Sequence, residues 1–288
     1  MPTASTCLDS QVRISFPRSP IRKIQLTPQI VTDGTPRDCA SPLCGSEADT
    51  SIIRTREMGG KASALGRTSS GPVDAAKAIS TFMGAGGATA STGTAAAAAA
   101  KRQLLGGLLG GGKGKGAAGG GAGANAAGAK TAKGTAEQGV AKAAGTGATS
   151  GLPTTADDGT ITMTFHQVNQ DGAGPLTAAI DPTSGGTDPA AFQDATVSQN
   201  VPGIGIGGLS AAAVEDFPVK VQMPQGMTCS GTVGGASNVC IVRMQNAALA
   251  GPFGGSAAFT QSAAAKKRAV EYNLRKRHMV RGVLGKAE

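Results

Sequence analysis

The chain contains two histidines, His166 and His278, so any imidazole chemistry must use one of them. A Ser–His or Cys–His mechanism would take its base from this pair, and a copper site would draw on the same nitrogens. His278 lies among Arg275, Lys276, Arg277 and Arg281, a poor setting for a buried base. His166 is therefore the candidate base or metal ligand. It ends an alternating run, Thr160–Val168, just ahead of Asn169-Gln-Asp171. Hydrogen bonding of a strand histidine to that loop accounts for its placement without catalysis. No catalytic residue and no cofactor-binding residue is assigned.

Five cysteines are present: Cys7, Cys39, Cys44, Cys229 and Cys240. The last four form two close pairs in turn-rich segments, which predicts local disulfides Cys39–Cys44 and Cys229–Cys240, with Cys7 unpaired. Disulfides imply an oxidising compartment. Neither pair is CxxC and no histidine adjoins either, which argues against zinc. Gly203-Ile-Gly205-Ile-Gly-Gly208 spells a dinucleotide fingerprint but lacks the strand before it and the helix after it. Gly107–Lys113 approaches a phosphate loop, yet Gly114 stands where a magnesium-binding hydroxyl belongs. Asn169-Gln-Asp171-Gly172 approaches a calcium loop, yet Ala178 stands where the bidentate Glu belongs.

These residues must be positioned by a small core. Of 288 residues 45 are glycine, aromatics make up 3%, and there is one tyrosine and no tryptophan. So little bulky side chain supports one module of about 150–180 residues. Ile161, Met163 and Phe165 alternate with Thr162, Thr164 and His166, which predicts a half-buried strand. Phe217, Val219 and Val221 predict a second, placed near a sheet edge by Pro218. Val239–Met244 predicts a third, and Gly234-Gly235 ahead of it is a hairpin signal that sets Cys229 across from Cys240. Pro72 and Asp74 in a first turn, Val73, Ala76, Ile79, Phe82 and Met83 at helical spacing, and Gly84 as a stop predict one helix. The expected fold is mainly β: a disulfide-containing β-sandwich-like module with one or two short helices, interrupted by a long disordered Gly/Ala-rich insert.

The expected organisation is 1–32 as a disordered or artefactual N-terminus, 33–83 and 160–261 as two parts of the module, 84–159 as the low-complexity insert, and 262–288 as a basic helix or tail. Much of the formal charge of +9 sits in that tail. It has almost no aromatics to stack on bases, which argues against nucleic acid as a partner. Lys267-Arg268 and Lys276-Arg277 are candidate dibasic processing sites; a solvated intact helix and adhesion to anionic wall or membrane material are the other readings of the same charge. The stretch is weakly amphipathic at best: Val270 and Leu274 give one i, i+4 apolar contact, and little else on that face is expected to dock firmly. No run of 18 apolar residues is present, so no transmembrane segment is expected. Residues 1–31 also lack the apolar stretch of a secretion signal.

Asp33–Arg54, Gly71–Lys77, Thr164–Pro175, Gly185–Pro189, Cys229–Asn246 and Gly251–Gly255 together resemble the signature blocks of the Egh16-like virulence factors. These are also called GEgh16 or MAS-type appressorial proteins of filamentous fungi. The resemblance implies a secreted or cell-surface protein of appressorium formation and host penetration, with fungal wall or host surface material as partner and no established catalysis. Family members begin with a signal peptide and a His-Gly mature start. Residues 1–32 show neither, for which a missed intron or misplaced start codon is the expected reason. The loop after His166 and the Cys229–Gly255 region bear a weaker likeness to lytic polysaccharide monooxygenases. That likeness implies an alternative, copper-dependent activity with His166 as one ligand and an N-terminal histidine, missing from this chain, as the other.

Overall fold

A computed structural model describes residues 6–8, 12–14, 36, 38, 39, 50–54, 63–85, 129–130, 138–172, 174–203 and 214–284. The first part of the chain forms β1 (Thr6–Leu8), β2 (Val12–Ile14), β3 (Ser51–Ile52), β4 (Arg67–Thr68), β5 (Gly71–Pro72) and helix α1 (Ala75–Phe82). Then come β6 (Ala129–Lys130) and two short helices, α2 (Gly139–Ala143) and α3 (Gly147–Ser150). The longer strands follow: β7 (Thr160–Gln167), β8 (Thr177–Asp181), β9 (Gln193–Gln199), β10 (Glu215–Gln222), β11 (Gly231–Val233), β12 (Ala236–Gln245) and β13 (Phe253–Thr260). Helix α4 (Ala263–Leu284) is the last element described.

The fold is mainly β, as the alternation predicts. The strands pair antiparallel along the path β1-β2-β7-β10-β9-β8-β12-β13-β3-β4-β5, with β11 added to β12 and β6 to β10. The path changes sheet within one strand. Gln193, Asp194 and Ala195 of β9 pair with β8, whereas Thr196, Val197 and Gln199 pair with β10. Both ladders point their apolar residues into a single core. Phe165, Met163 and Ile161 of β7 sit directly opposite Phe217, Val219 and Val221 of β10, and all six are buried. Such cross-strand pairs are the unit of sheet stabilisation.

The hairpin signal is realised. Gly234 and Gly235 both take positive φ, +57° and +84°, as a two-residue turn matched to strand twist requires. Cys229 and Cys240 are joined by a disulfide with their Cα atoms 5.0 Å apart. Cys39 is also disulfide-bonded. Its predicted partner Cys44 lies outside the described residues, as does the side chain of Cys7.

Several expectations need correction. Pro218 does not mark a sheet edge, because β10 has neighbours on both sides. On the side away from β7, Glu215 and Asp216 pair with β6 and Lys220–Gln222 pair with β9; among the described residues no strand partner faces Pro218 between them, which leaves room for a residue without an N–H. Helix α1 starts later than predicted. Pro72 belongs to β5, and Asp74 is the N-cap, accepting from Lys77 N–H at 3.1 Å. Its buried face is Ala75, Ala78, Ile79 and Phe82, and Ala76 is exposed.

Residues 138–159, expected within the insert, pack on the module. Ala143 and Leu152 join the core, and Gly147 lies so close to the Phe82 ring that a Cβ there would come within 2.4 Å of it. Thr155 N–H donates to Thr260 O at 3.0 Å. Gly145 N–H donates to Thr81 O at 3.0 Å, which ties the end of α1 to the α2–α3 turn. Within 1–32, β1 and β2 form a backbone hairpin, and β2 pairs with β7 at Val12–Phe165. Val270 and Leu274 are exposed on α4, in keeping with the weak face read from the sequence, whereas the helix buries Ala265 and Ala269.

Candidate functional site

Strand register decides what His166 can do. In the β7–β10 ladder His166 stands opposite Asp216, and its Nδ1 lies 2.7 Å from Asp216 Oδ1. The histidine is buried. Its partner is therefore a carboxylate on the neighbouring strand and not the following loop, which corrects the expectation. A carboxylate facing Nδ1 fixes the orientation of the imidazole ring. His278 is exposed on α4 and does not join this pair. Among the described residues no group of three His, Cys, Asp or Glu side chains gathers where a metal ion could be held. His166 brings a single imidazole nitrogen, so these residues alone do not fit copper.

A second polar centre follows β8. Asp181 is fully buried. Its Oδ1 accepts from the N–H groups of Thr183 and Ser184, both at 2.8 Å. Its Oδ2 accepts from Ser184 Oγ at 2.5 Å and from Gly186 N–H at 2.7 Å. Burial by itself pushes this carboxyl up; the Ser184 hydroxyl and the three N–H groups outweigh it and hold the group below its usual value. The loop it organises seats Gly185 against Val233 and Gly186 against Leu65. The sequence Asp181-Pro-Thr-Ser-Gly-Gly carries the signal for this arrangement, since Asp followed by Thr, Ser and Gly favours side-chain-to-backbone turns. Composition and hydrophobic periodicity do not single it out.

A third feature lies where α4 docks. A groove of about 530 Å³ runs between α4 and the 222–227 turn, with Met223, Met227 and Ala269 among its lining residues. Arg268, Tyr272 and Arg275 line it from one helix face. Asn273 Nδ2 donates to Gly226 O at 2.8 Å and pins the turn to the helix. Gly226 takes φ +81°, and a Cβ there would come within 2.5 Å of Asn273 and 2.8 Å of the Tyr272 ring. The dibasic pairs Lys267-Arg268 and Lys276-Arg277 both lie within this helix.

A mainly antiparallel β module closed by a buried disulfide defines the class. The chain belongs to the Egh16-like virulence factor family, whose model matches residues 23–254. It is 60% identical over 258 residues to the appressoria-specific virulence factor GAS2 of Pyricularia oryzae, covering 87% of this chain and 83% of that protein. It is 38% identical over 133 residues to the appressoria-specific virulence factor GAS1 of the same organism, covering 45% of this chain and 51% of that one. No solved structure matches the chain. No helix among the described residues is long and apolar enough to cross a membrane.

Proposed function

We propose that this chain is a secreted or cell-surface virulence factor of the appressorium that acts as a structural or interaction protein and not through catalysis. The observation that carries the reading is the 60% identity, across 87% of the chain, to an appressoria-specific virulence factor. The Cys229–Cys240 disulfide supports the extracellular part, because such bonds persist in oxidising compartments. The His166–Asp216 pair supports the non-catalytic part. It is buried and cross-strand, and serves the sheet without any further group being invoked. Fungal wall or host surface material is the partner this reading expects.

The test is a gene deletion with a complemented strain, combined with imaging of an epitope-tagged protein. The expected result is tag signal at or outside the appressorial surface and smaller lesions in the deletion strain. A tag confined to the cytoplasm, or full virulence without the gene, would refute the proposal.

A further inference from the structure

The chain has one tyrosine and no tryptophan, and that tyrosine stands in water. Phe82, Phe165, Phe217 and Phe259 are buried, whereas Tyr272 is 40% exposed, on the wall of the groove beside α4. It is not a loose surface side chain. Its ring packs on the Gly226 turn, which the Asn273 hydrogen bond holds in place. An aromatic face held in place and open to solvent is a ready platform for stacking.

The surrounding polar groups narrow what that could be. Arg268 and Arg275 flank Tyr272 along the helix, four residues before it and three after it, and Asp158 and Glu271 also line the groove. Among the lining residues two arginines face two carboxylates, and Glu271 also pairs with Lys267 at 4.0 Å, so the groove itself holds little surplus charge for an anionic polymer. An apolar ligand would strip water from all four charged groups without replacing their hydrogen bonds. An uncharged polyol satisfies the set: its hydroxyls donate to carboxylates and accept from guanidinium groups, and its C–H face stacks on the ring. Gln222 and Gln261 are spent on the fold, bonding to Thr160 and Asp158 and to Cys229 and Met227. No hydrogen bond or ion pair is seen for Arg275, Gln225 or the Tyr272 hydroxyl among the described residues. Unengaged donors and acceptors thus converge on a space of the size that holds one or two sugar rings.

We infer that the groove between α4 and the 222–227 turn binds a β-linked hexose chain, with Tyr272 as the stacking platform and Arg268, Arg275 and Asp158 as hydrogen-bonding groups. The inference deepens the reading of the chain as an interaction protein by giving it a ligand class.

The lone tyrosine reports on its own site, since tyrosine emission from the purified full-length protein comes from Tyr272 alone. Hexamers of β-1,4-linked N-acetylglucosamine, β-1,3-linked glucose and β-1,4-linked glucose are titrated separately, which also distinguishes the source of the sugar. The expected result is a saturable change in emission with at least one of them. Calorimetry should show Arg275→Ala weakening that ligand by about 10-fold, Tyr272→Ala abolishing the heat, and Tyr272→Phe keeping it within about 3-fold. Melting temperatures close to the parent's show that the variants are folded. Unchanged emission with all three hexamers overturns the inference. So does binding that survives Tyr272→Ala, or binding confined to a polyanion and lost with added salt. The assay is independent of where the protein resides, so its failure leaves the proposed surface role standing, and a failed deletion phenotype leaves the groove standing.

Discussion

Asp181 offers the sharpest test of how the module is held together. Its carboxylate accepts three backbone N–H groups, the Ser184 hydroxyl and, at 3.4 Å, the Thr183 hydroxyl in a site closed to water. Asp181→Ala orphans those donors at once. Each buried unsatisfied group costs about 1–3 kcal/mol, and partial resolvation of the loop moderates the sum, so about 4 kcal/mol of lost stability is expected. Asp181→Asn keeps an acceptor for Thr183 and Ser184 but turns an amide toward Gly186 N–H, for about 2 kcal/mol. The sign of the pH dependence follows from the depressed folded-state pKa. Stability from this group is fully present above the unfolded value of about 3.9 and disappears as pH falls through the lower folded value. The gap between parent and Asp181→Asn should therefore be widest at neutral pH and narrow below about pH 4. Urea unfolding followed by circular dichroism measures all three proteins. An Asp181→Ala cost below about 1 kcal/mol, or a gap that widens in acid, would refute the reasoning.

Replacing Cys229 and Cys240 together by Ser should cost about 2–4 kcal/mol in urea unfolding, and reductant should then have no further effect through this bond. Gly147→Ala should destabilise by about 1–3 kcal/mol despite the better helix propensity of Ala, because its Cβ would lie 2.4 Å from the Phe82 ring; an unchanged melting temperature contradicts the packing described. If secretory proteases trim the tail, the cut should fall after Lys276-Arg277, since cutting after Lys267-Arg268 would detach buried Ala269 and the Asn273–Gly226 bond. Intact-mass analysis of protein from culture fluid reads the terminus, and one at Arg268 would show that α4 does not dock as described.

Part of the β framework was legible because two of its long strands obey a simple rule. β7 and β10 bury one face and wet the other, so apolar and polar residues alternate. β13 escaped notice for the opposite reason. Phe253–Thr260 lies between β12 and β3, and Gly254 approaches Met244 O so closely that a Cβ would come within 1.9 Å. Ser256, Ala257 and Ala258 are all buried there. Small residues chosen for close packing leave no periodicity to read. β9 was missed because its exposed Gln193, Asp194, Thr196 and Ser198 lack an apolar stripe. Pro218 misled because a sheet interior can hold a local gap. Of the candidate sites, His166 was visible as a residue but its partner was not. Asp216 lies 50 positions away, and only strand register reveals it. The groove was hidden because its helix docks through alanines, which hardly register as a hydrophobic face.

The hydrogen bond from Gly145 to Thr81 holds the end of α1 against the α2–α3 turn, and β6 is paired to β10 at Glu215 and Asp216. The chain on either side of residues 86–128 is thus tied to the module by its own contacts. Each doubling in length of a flexible loop adds only ~0.6 kcal/mol in closure entropy. For the experimenter, residues 86–128 are therefore the natural place to graft a fluorescent reporter or an affinity tag, provided β6 is left intact.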